Sequence, residues 1–312
     1  MNKQSVNCAR TAQEAGVSRG DARAEGMTRR EGLVTEASRG DARAEGMPHR
    51  TALVTGASRG IGRAIARELA AQGWDLILTC SKSMTELEEL GEELRGKERG
   101  AEPCGEDDMS SEAPEAPEGW QETGGVRVRC ELCDMGNPDD VRKLFQEIRS
   151  LDLLVNNAGI SHIGLLQEMT DAEWDRIIAV NLSSVFYTSR AAIPIFVRQG
   201  SGRIINISSV WGNAGASCEV AYSASKGGVN AFTKALAKEL APCGIAVNAI
   251  ACGCVDTSMN AHLQPQDRAD LEEAIPAGRF AAPGEVAKAV ANLADMPAYL
   301  TGQVITIDGG WT

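Results

Sequence analysis

The sequence predicts an α/β protein, a single doubly wound parallel sheet of seven strands with helices on both faces. Two observations carry this. From about residue 51 onward, short apolar runs alternate with longer segments whose apolar residues recur at helical spacing. The first of these runs leads directly into a glycine-rich turn and a helix, as a βαβ unit requires.

The elements follow in order. Residues 51–55 (TALVT) form the first strand, and 61–72 an amphipathic helix. Residues 75–80 (DLILTC) form the second strand, followed by a helix starting near Thr85. Further strands are expected at 126–133, 151–156, 202–207, 245–250 and 303–307, with helices at 138–149, 171–198, 221–240 and 283–294. Strands separated by helices give right-handed crossovers and a Rossmann-type sheet.

Two segments stand apart from this pattern. SRGDARAEGM occurs at 18–27 and again at 38–47, and residues 31–40 are a degraded echo of 51–60. Two polar copies cannot build a solenoid. Residues 1–46 are therefore expected to be a disordered or untranslated extension, with one domain at 47–312. Within that domain, residues 96–125 hold Pro103, Pro114 and Pro117 among many acids and read as a mobile acidic insertion.

The chain has 312 residues, 43% of them hydrophobic, enough to bury a substantial core. Its formal charge of -12 is local, because from Thr85 to Gly125 fourteen Asp/Glu face only Arg95, Lys97 and Arg99. The remainder is near neutral, so no basic field suits nucleic acid or an anionic membrane. No apolar stretch approaches the roughly 20 residues of a membrane span. Nine cysteines, an odd number without the spacing of a small secreted domain and with no secretory leader before them, predict thiols in a reducing cytoplasm. Cys130 and Cys133 form a Cys-x-x-Cys. Three apart on a strand, they point to opposite faces, and no metal site is expected.

The first strand runs into Thr55-Gly-Ala-Ser-Arg-Gly-Ile-Gly62. Gly56, Gly60 and Gly62 let the backbone turn tightly and bring a pyrophosphate to a helix N-terminus, whose free N–H groups favour anions. Ser58, Arg59 and Ile61 complete this loop. The second strand ends in Thr79-Cys-Ser-Lys-Ser83 without the acid that would bind a ribose 2′-hydroxyl. NADPH is therefore expected over NADH, with Arg59, Ser81 and Lys82 as 2′-phosphate candidates.

Tyr222-Ser-Ala-Ser-Lys226 places a tyrosine and a lysine on one helix face. Free tyrosine, with a pKa of about 10, is a poor acid at neutral pH. An adjacent ammonium favours the phenolate and brings it into range, so that Tyr222 can protonate a carbonyl oxygen as hydride reaches the carbon. Ser209, thirteen residues earlier and just past a strand, can hydrogen-bond the same oxygen.

The spacing Gly-x-x-x-Gly-x-Gly, the Asn156-Asn-Ala-Gly159 that ends the fourth strand, Asn181, Ser209 and Tyr222-x-x-x-Lys226 occur in the order of the short-chain dehydrogenase/reductase family, which residues 50–312 resemble. The resemblance implies that Asp134, with Met135 beside it, contacts adenine. It implies that Asn156 braces the sheet and that Asn157, Ala158 and Gly159 line the ribose. Lys226 would also hold the nicotinamide ribose, and Asn181 would anchor a water of a proton relay. Gly253, Val255 and Thr257 match the nicotinamide loop, although Cys252 replaces the family's usual proline. A homotetramer built through the helices at 171–198 and 221–240 is implied as well.

Within the family the chain looks most like 3-oxoacyl-[acyl-carrier-protein] reductases, which implies a 3-oxoacyl thioester and acyl carrier protein as substrate and partner. Cys243 stands where a basic docking residue is expected. The segments 161–166, 209–212 and 215–220 also resemble a branch that reduces the 5-aminopentanone modification on elongation factor P. Glu219, three residues before Tyr222, can pair with the cationic tail of such a substrate or remain a solvated loop carboxylate. His162 and Trp211 are candidates for the pocket wall. A catalytically silent nucleotide-binding scaffold is the reading from another class, and the intact Asn181, Ser209, Tyr222 and Lys226 set argues against it.

Overall fold

The apolar runs pair into one sheet. Its strands among the described residues are β1 (Thr51–Val54), β2 (Asp75–Cys80), β3 (Gln121–Thr123), β4 (Val126–Leu132), β5 (Leu153–Asn156), β6 (Gly202–Ser209), β7 (Ile245–Cys252) and β8 (Val304–Ile307). They lie in the order β3-β4-β2-β1-β5-β6-β7-β8. Seven are mutually parallel, and β3 alone runs antiparallel, with Thr123 opposite Val126. The computed structural model describes residues 50–95, 121–123 and 125–312, all within the unit Pro48–Thr312. The extension expected at 1–46 and residues 96–120 of the acidic insertion lie outside them. β3 comes from the end of that insertion, where an antiparallel return needs only a tight turn through Gly125, at φ 99°.

Nine helices among the described residues complete the fold: α1 (Gly60–Ala71), α2 (Met84–Arg95), α3 (Pro138–Gln146), α4 (Asp171–Ile178), α5 (Ser184–Gln199), α6 (Trp211–Ala214), α7 (Val220–Leu240), α8 (Pro265–Ala274) and α9 (Pro283–Asp295). Alternate strand residues feed two cores. Val54, Leu76, Leu78 and Val155 pack against Leu69 of α1, Leu90 of α2 and Val290 of α9. Leu53, Ile77, Leu154 and Val247 pack against Leu144 of α3, Phe196 of α5 and Leu240 of α7. The sheet is thus buried on both faces, which is why its strands are continuously apolar. Cys130 belongs to the first layer and Cys133 to the second. No helix among the described residues is long and apolar enough to cross a membrane.

The helix expected at 171–198 is interrupted. Between α4 and α5 a π turn (Ala179–Ser183) inserts a residue, with Asn181 at its centre. Such π turns recur at functional positions because they re-aim a side chain. The sheet order reverses between β1 and β5, which both end at the same edge. In doubly wound sheets ligands bind at this crevice.

Candidate active site

Beyond the end of β1 the chain turns through Gly56 (φ 65°) and Gly60 (φ 57°) into α1. Thr55 Oγ1 accepts the N–H groups of Asn157 (2.9 Å) and Ala158 (3.0 Å), which locks this turn to the end of β5. The Asn157 amide donates to the carbonyls of Thr55 (2.8 Å) and Gly56 (3.1 Å). A Cβ on Gly62 would lie 2.3 Å from the Gly56 carbonyl oxygen, so only glycine fits there. Arg59 occupies the N-cap of α1 without a side-chain cap, and no acid lies in the first turn. Across the crevice Thr257 faces Gly60, its Cγ2 3.4 Å from where a Cβ would stand.

Ser81 and Lys82 follow β2 and are exposed. Asp134 accepts both Arg176 guanidinium nitrogens (2.8 and 3.1 Å) and the Gly136 N–H (2.9 Å). Burial acts to raise the Asp134 carboxyl, but Arg176 and Gly136 outweigh it and hold it below the usual range, with Lys82 adding to them. Met135 turns into the core, where its sulfur accepts from Thr79.

Tyr222 and Lys226 project from α7 toward the end of β6. That strand runs two residues longer than the sequence suggested and ends on Ser209 itself. The Ser209 hydroxyl lies beside Tyr222, whose pKa it acts to lower, and accepts the backbone N–H of Trp211 at 3.2 Å. Asn181, 1% exposed, accepts the Ile160 N–H (2.9 Å) and donates to the Ile160 carbonyl (2.9 Å) and to Ser225 Oγ (3.1 Å). A Cβ on Gly159 would fall between Lys226 Nζ (3.5 Å) and Asn181 Oδ1 (3.6 Å). One gap therefore separates the lysine from the asparagine.

The electrostatics differ from the sequence-based expectation. Lys226 donates to the Ile207 carbonyl (2.9 Å), and its Nζ lies 5.7 Å from the Tyr222 ring centroid. Burial raises the Tyr222 pKa, with the Ser209 hydroxyl opposing and Cys252 and Glu219 adding to the rise. Burial also lowers Lys226 to about 8. Cys252 beside it is pushed up to about 12, again by burial, with Lys226 opposing. A neutral thiol thus occupies the place of the expected proline.

Gly253 follows Cys252 and packs on Asp308, whose Cα would lie 2.8 Å from a Cβ there. The chain after β8 therefore approaches the backbone closely at this glycine. Val255 is buried and bridges to Ala281. Glu219 stands at the N-cap of α7, half-buried, with the Trp211 side chain beside it. His162 leans toward Glu173, its Nδ1 3.9 Å from the carboxylate. Two neighbours of this wall were not read from the sequence. His262 faces Glu219, and Trp311 packs on Trp211 with ring centroids 4.9 Å apart. Both arrive from segments distant in sequence and carry no local motif.

A glycine turn at the sheet's reversal point, opposite a joined serine, tyrosine and lysine, defines an NAD(P)-dependent oxidoreductase. Comparison with known proteins agrees. The family model described as short chain dehydrogenase matches residues 50–117, and that described as Enoyl-(Acyl carrier protein) reductase matches residues 95–312. The chain belongs to the short-chain dehydrogenase family. It is 37% identical over 251 residues to a Bacillus subtilis protein named uncharacterized oxidoreductase YmfI, covering 80% of this chain and 93% of that one. It is 36% identical over 253 residues to the 3-oxoacyl-[acyl-carrier-protein] reductase FabG of Aquifex aeolicus, covering 80% and 91%. With the Escherichia coli protein of the same name the identity is 41% over 184 residues, covering 57% and 75%.

Proposed function

We propose that the protein reduces a ketone to a secondary alcohol with NADPH, and that the ketone is a 3-oxoacyl thioester. The observation that carries this reading is the grouping of Ser209 beside Tyr222 with Lys226 and Asn181 on either side of Gly159. The relatives named as 3-oxoacyl-[acyl-carrier-protein] reductases support the thioester and acyl carrier protein as its partner.

The residues suit the cofactor. The uncapped N-terminus of α1 offers N–H donors to a pyrophosphate, and the glycines keep that approach open. Arg59, Ser81 and Lys82 give a 2′-phosphate cationic and hydroxyl partners, with no carboxylate after β2 to repel it. Asp134, Asn157–Gly159, Val255 and Thr257 would line the rest. When bound, the reduced nicotinamide supplies the hydride. The chain supplies the proton: Tyr222 donates it to the carbonyl oxygen, and Ser209 hydrogen-bonds that oxygen as charge develops. The Lys226 ammonium favours the phenolate left behind. Asn181, across the Gly159 gap, continues the path by which Tyr222 is reprotonated.

A second reading is reduction of the 5-aminopentanone modification on elongation factor P. It is favoured by Glu219, a half-buried carboxylate near Tyr222 that can pair with an ammonium group. NADPH consumption with an acetoacetyl thioester and with a matched amino-ketone separates the two. A thioester preference that survives Glu219→Gln upholds the first reading, and an amino-ketone preference lost in Glu219→Gln upholds the second. Turnover of neither refutes ketone reduction.

We further place the protein in the cytoplasm as a homotetramer. Free thiols such as Cys243 suit a reducing compartment. Exposed Trp174, Phe186 and Val197 on α4 and α5 suit burial against another copy.

A further inference from the structure

Glu219 occupies a helix N-cap, where a carboxylate ordinarily accepts an N–H of the first turn. It makes no such bond. Its carboxylate instead lies by the Trp211 indole, which acts to lower its pKa, and faces His262, Tyr222 and Cys254. The turn that aims it away from its own helix is strained. Cys218 has φ 62°, the one non-glycine residue in the left-handed region among the described residues. Its carbonyl accepts the Gly164 N–H at 2.9 Å, so the loop after β5 pins the turn. A disfavoured conformation held from outside indicates that the direction of Glu219 is imposed by the fold.

An indole fixes a carboxylate only as well as the indole is itself fixed. Trp211 begins α6, a four-residue helix whose next residues Asn213, Ala214 and Gly215 are exposed. Support for its ring comes from Trp311, tilted at 60° with the centroids 4.9 Å apart, a favourable aromatic geometry. Trp311 is held in turn by Asp308, which accepts the N–H groups of Gly310 (2.9 Å) and Thr312 (2.8 Å). The line from Asp308 through Trp311 and Trp211 to Glu219 thus spans three separate segments. The backbone N–H of Trp211, separately, donates to Ser209 Oγ.

We propose that Trp311 is a positioning residue for Glu219: stacked on Trp211, it holds the carboxylate beside Tyr222, where the site selects the charge on the distal part of the ketone. A cation there gains a carboxylate of opposite charge, whereas a neutral group of the same shape does not. The inference rests on ketone reduction at this site and goes with the second of the two ketones, whose distal group is cationic.

The test compares a ketone carrying a trimethylammonium group with its tert-butyl isostere, so that charge alone differs. The wild type is expected to favour the charged ketone in kcat/KM, and Glu219→Gln to abolish the preference. Trp311→Ala is expected to lower the charged-to-neutral ratio about tenfold, with the KM for NADPH unmoved. Trp311→Phe, which keeps a ring on Trp211, is expected to retain most of it. An unchanged ratio in Trp311→Ala overturns the proposal, as does a loss that Trp311→Phe fails to rescue. If neither ketone is turned over, ketone reduction fails, and calorimetric binding of the trimethylammonium ketone decides this inference separately. Weaker binding in both Trp311→Ala and Glu219→Gln upholds it, and equal binding in Trp311→Ala overturns it.

Discussion

The ammonium of Lys226 donates to the carbonyl oxygen of Ile207, 2.9 Å away, two residues before Ser209 on the same strand. Helix α7 is thereby tied to β6 through a lysine that is only 4% exposed. Burial pushes that lysine down to about 8, and Cys252 offsets this only in part.

A pH dependence of stability follows. The unfolded chain keeps this proton up to its ordinary pKa of 10.5, and the folded protein only up to about 8. The unfolded state therefore binds more protons between those values, and stability rises with pH across that window. Charging the buried amine costs about 3 kcal/mol, whereas leaving the Ile207 carbonyl without its donor costs about 1 kcal/mol. Lys226→Met should thus raise the Tm of the cofactor-free protein at pH 7 by about 2–4 °C and abolish turnover. Thermal melts against pH check it. A variant that melts lower than the wild type would mean that the ammonium is well compensated.

Tyr222→Phe removes the proton donor and little else, since the ring stays packed against its neighbours. The expected loss in kcat is about 10³-fold, within the range of general acid catalysis. NADPH binding, read by fluorescence titration, should shift by less than about threefold. Comparable losses in binding and turnover would place Tyr222 in cofactor binding alone.

Local pattern made the strands, the glycine turn and the Tyr222–Lys226 pair legible, because each is a short-range feature with its own spacing. Residues 171–198 keep one helical period, so the π turn at Asn181 left no mark on that pattern. α8 was not anticipated because none of its residues is buried, so no apolar stripe announces it. β3 exists through pairing with β4, and its three residues resemble the acidic run before them. Trp311 and His262 reach the site through tertiary packing, which no local spacing encodes. The Tyr222 electrostatics were misjudged for a related reason. Helical spacing gives a shared face, but it does not give the burial that raises the Tyr222 pKa or the Ile207 carbonyl that Lys226 bonds.

The cationic surroundings of α1 and β2 predict cofactor selectivity. Arg59 and Lys82 carry the charges proposed for the 2′-phosphate, so Arg59→Ala with Lys82→Ala should raise the KM for NADPH about tenfold or more. The KM for NADH should stay within about twofold, because that dinucleotide lacks the phosphate. Steady-state rates with both cofactors test this, and equal effects on the two would remove these residues from the 2′-phosphate site.

Two glycines separate folding from chemistry. Gly62→Ala forces a Cβ to 2.3 Å from the Gly56 carbonyl oxygen and 2.5 Å from the Asn157 amide, so the turn must open. Strain of this kind typically costs about 1–3 kcal/mol, and both Tm and NADPH affinity should fall. Gly159→Ala differs. Its backbone is not among those with positive φ, and its Cβ would meet Lys226 Nζ at 3.5 Å and Asn181 Oδ1 at 3.6 Å, ordinary contact distances. The methyl fits, but it fills the gap across which the proton path is proposed to run. Gly159→Ala should therefore leave Tm within about 2 °C and lower kcat about tenfold or more. The loss should also grow as pH rises, where solvent acid that could reprotonate Tyr222 by another route becomes scarce. An unchanged kcat in this variant would show that the gap carries no proton, whatever Asn181 and Lys226 do separately.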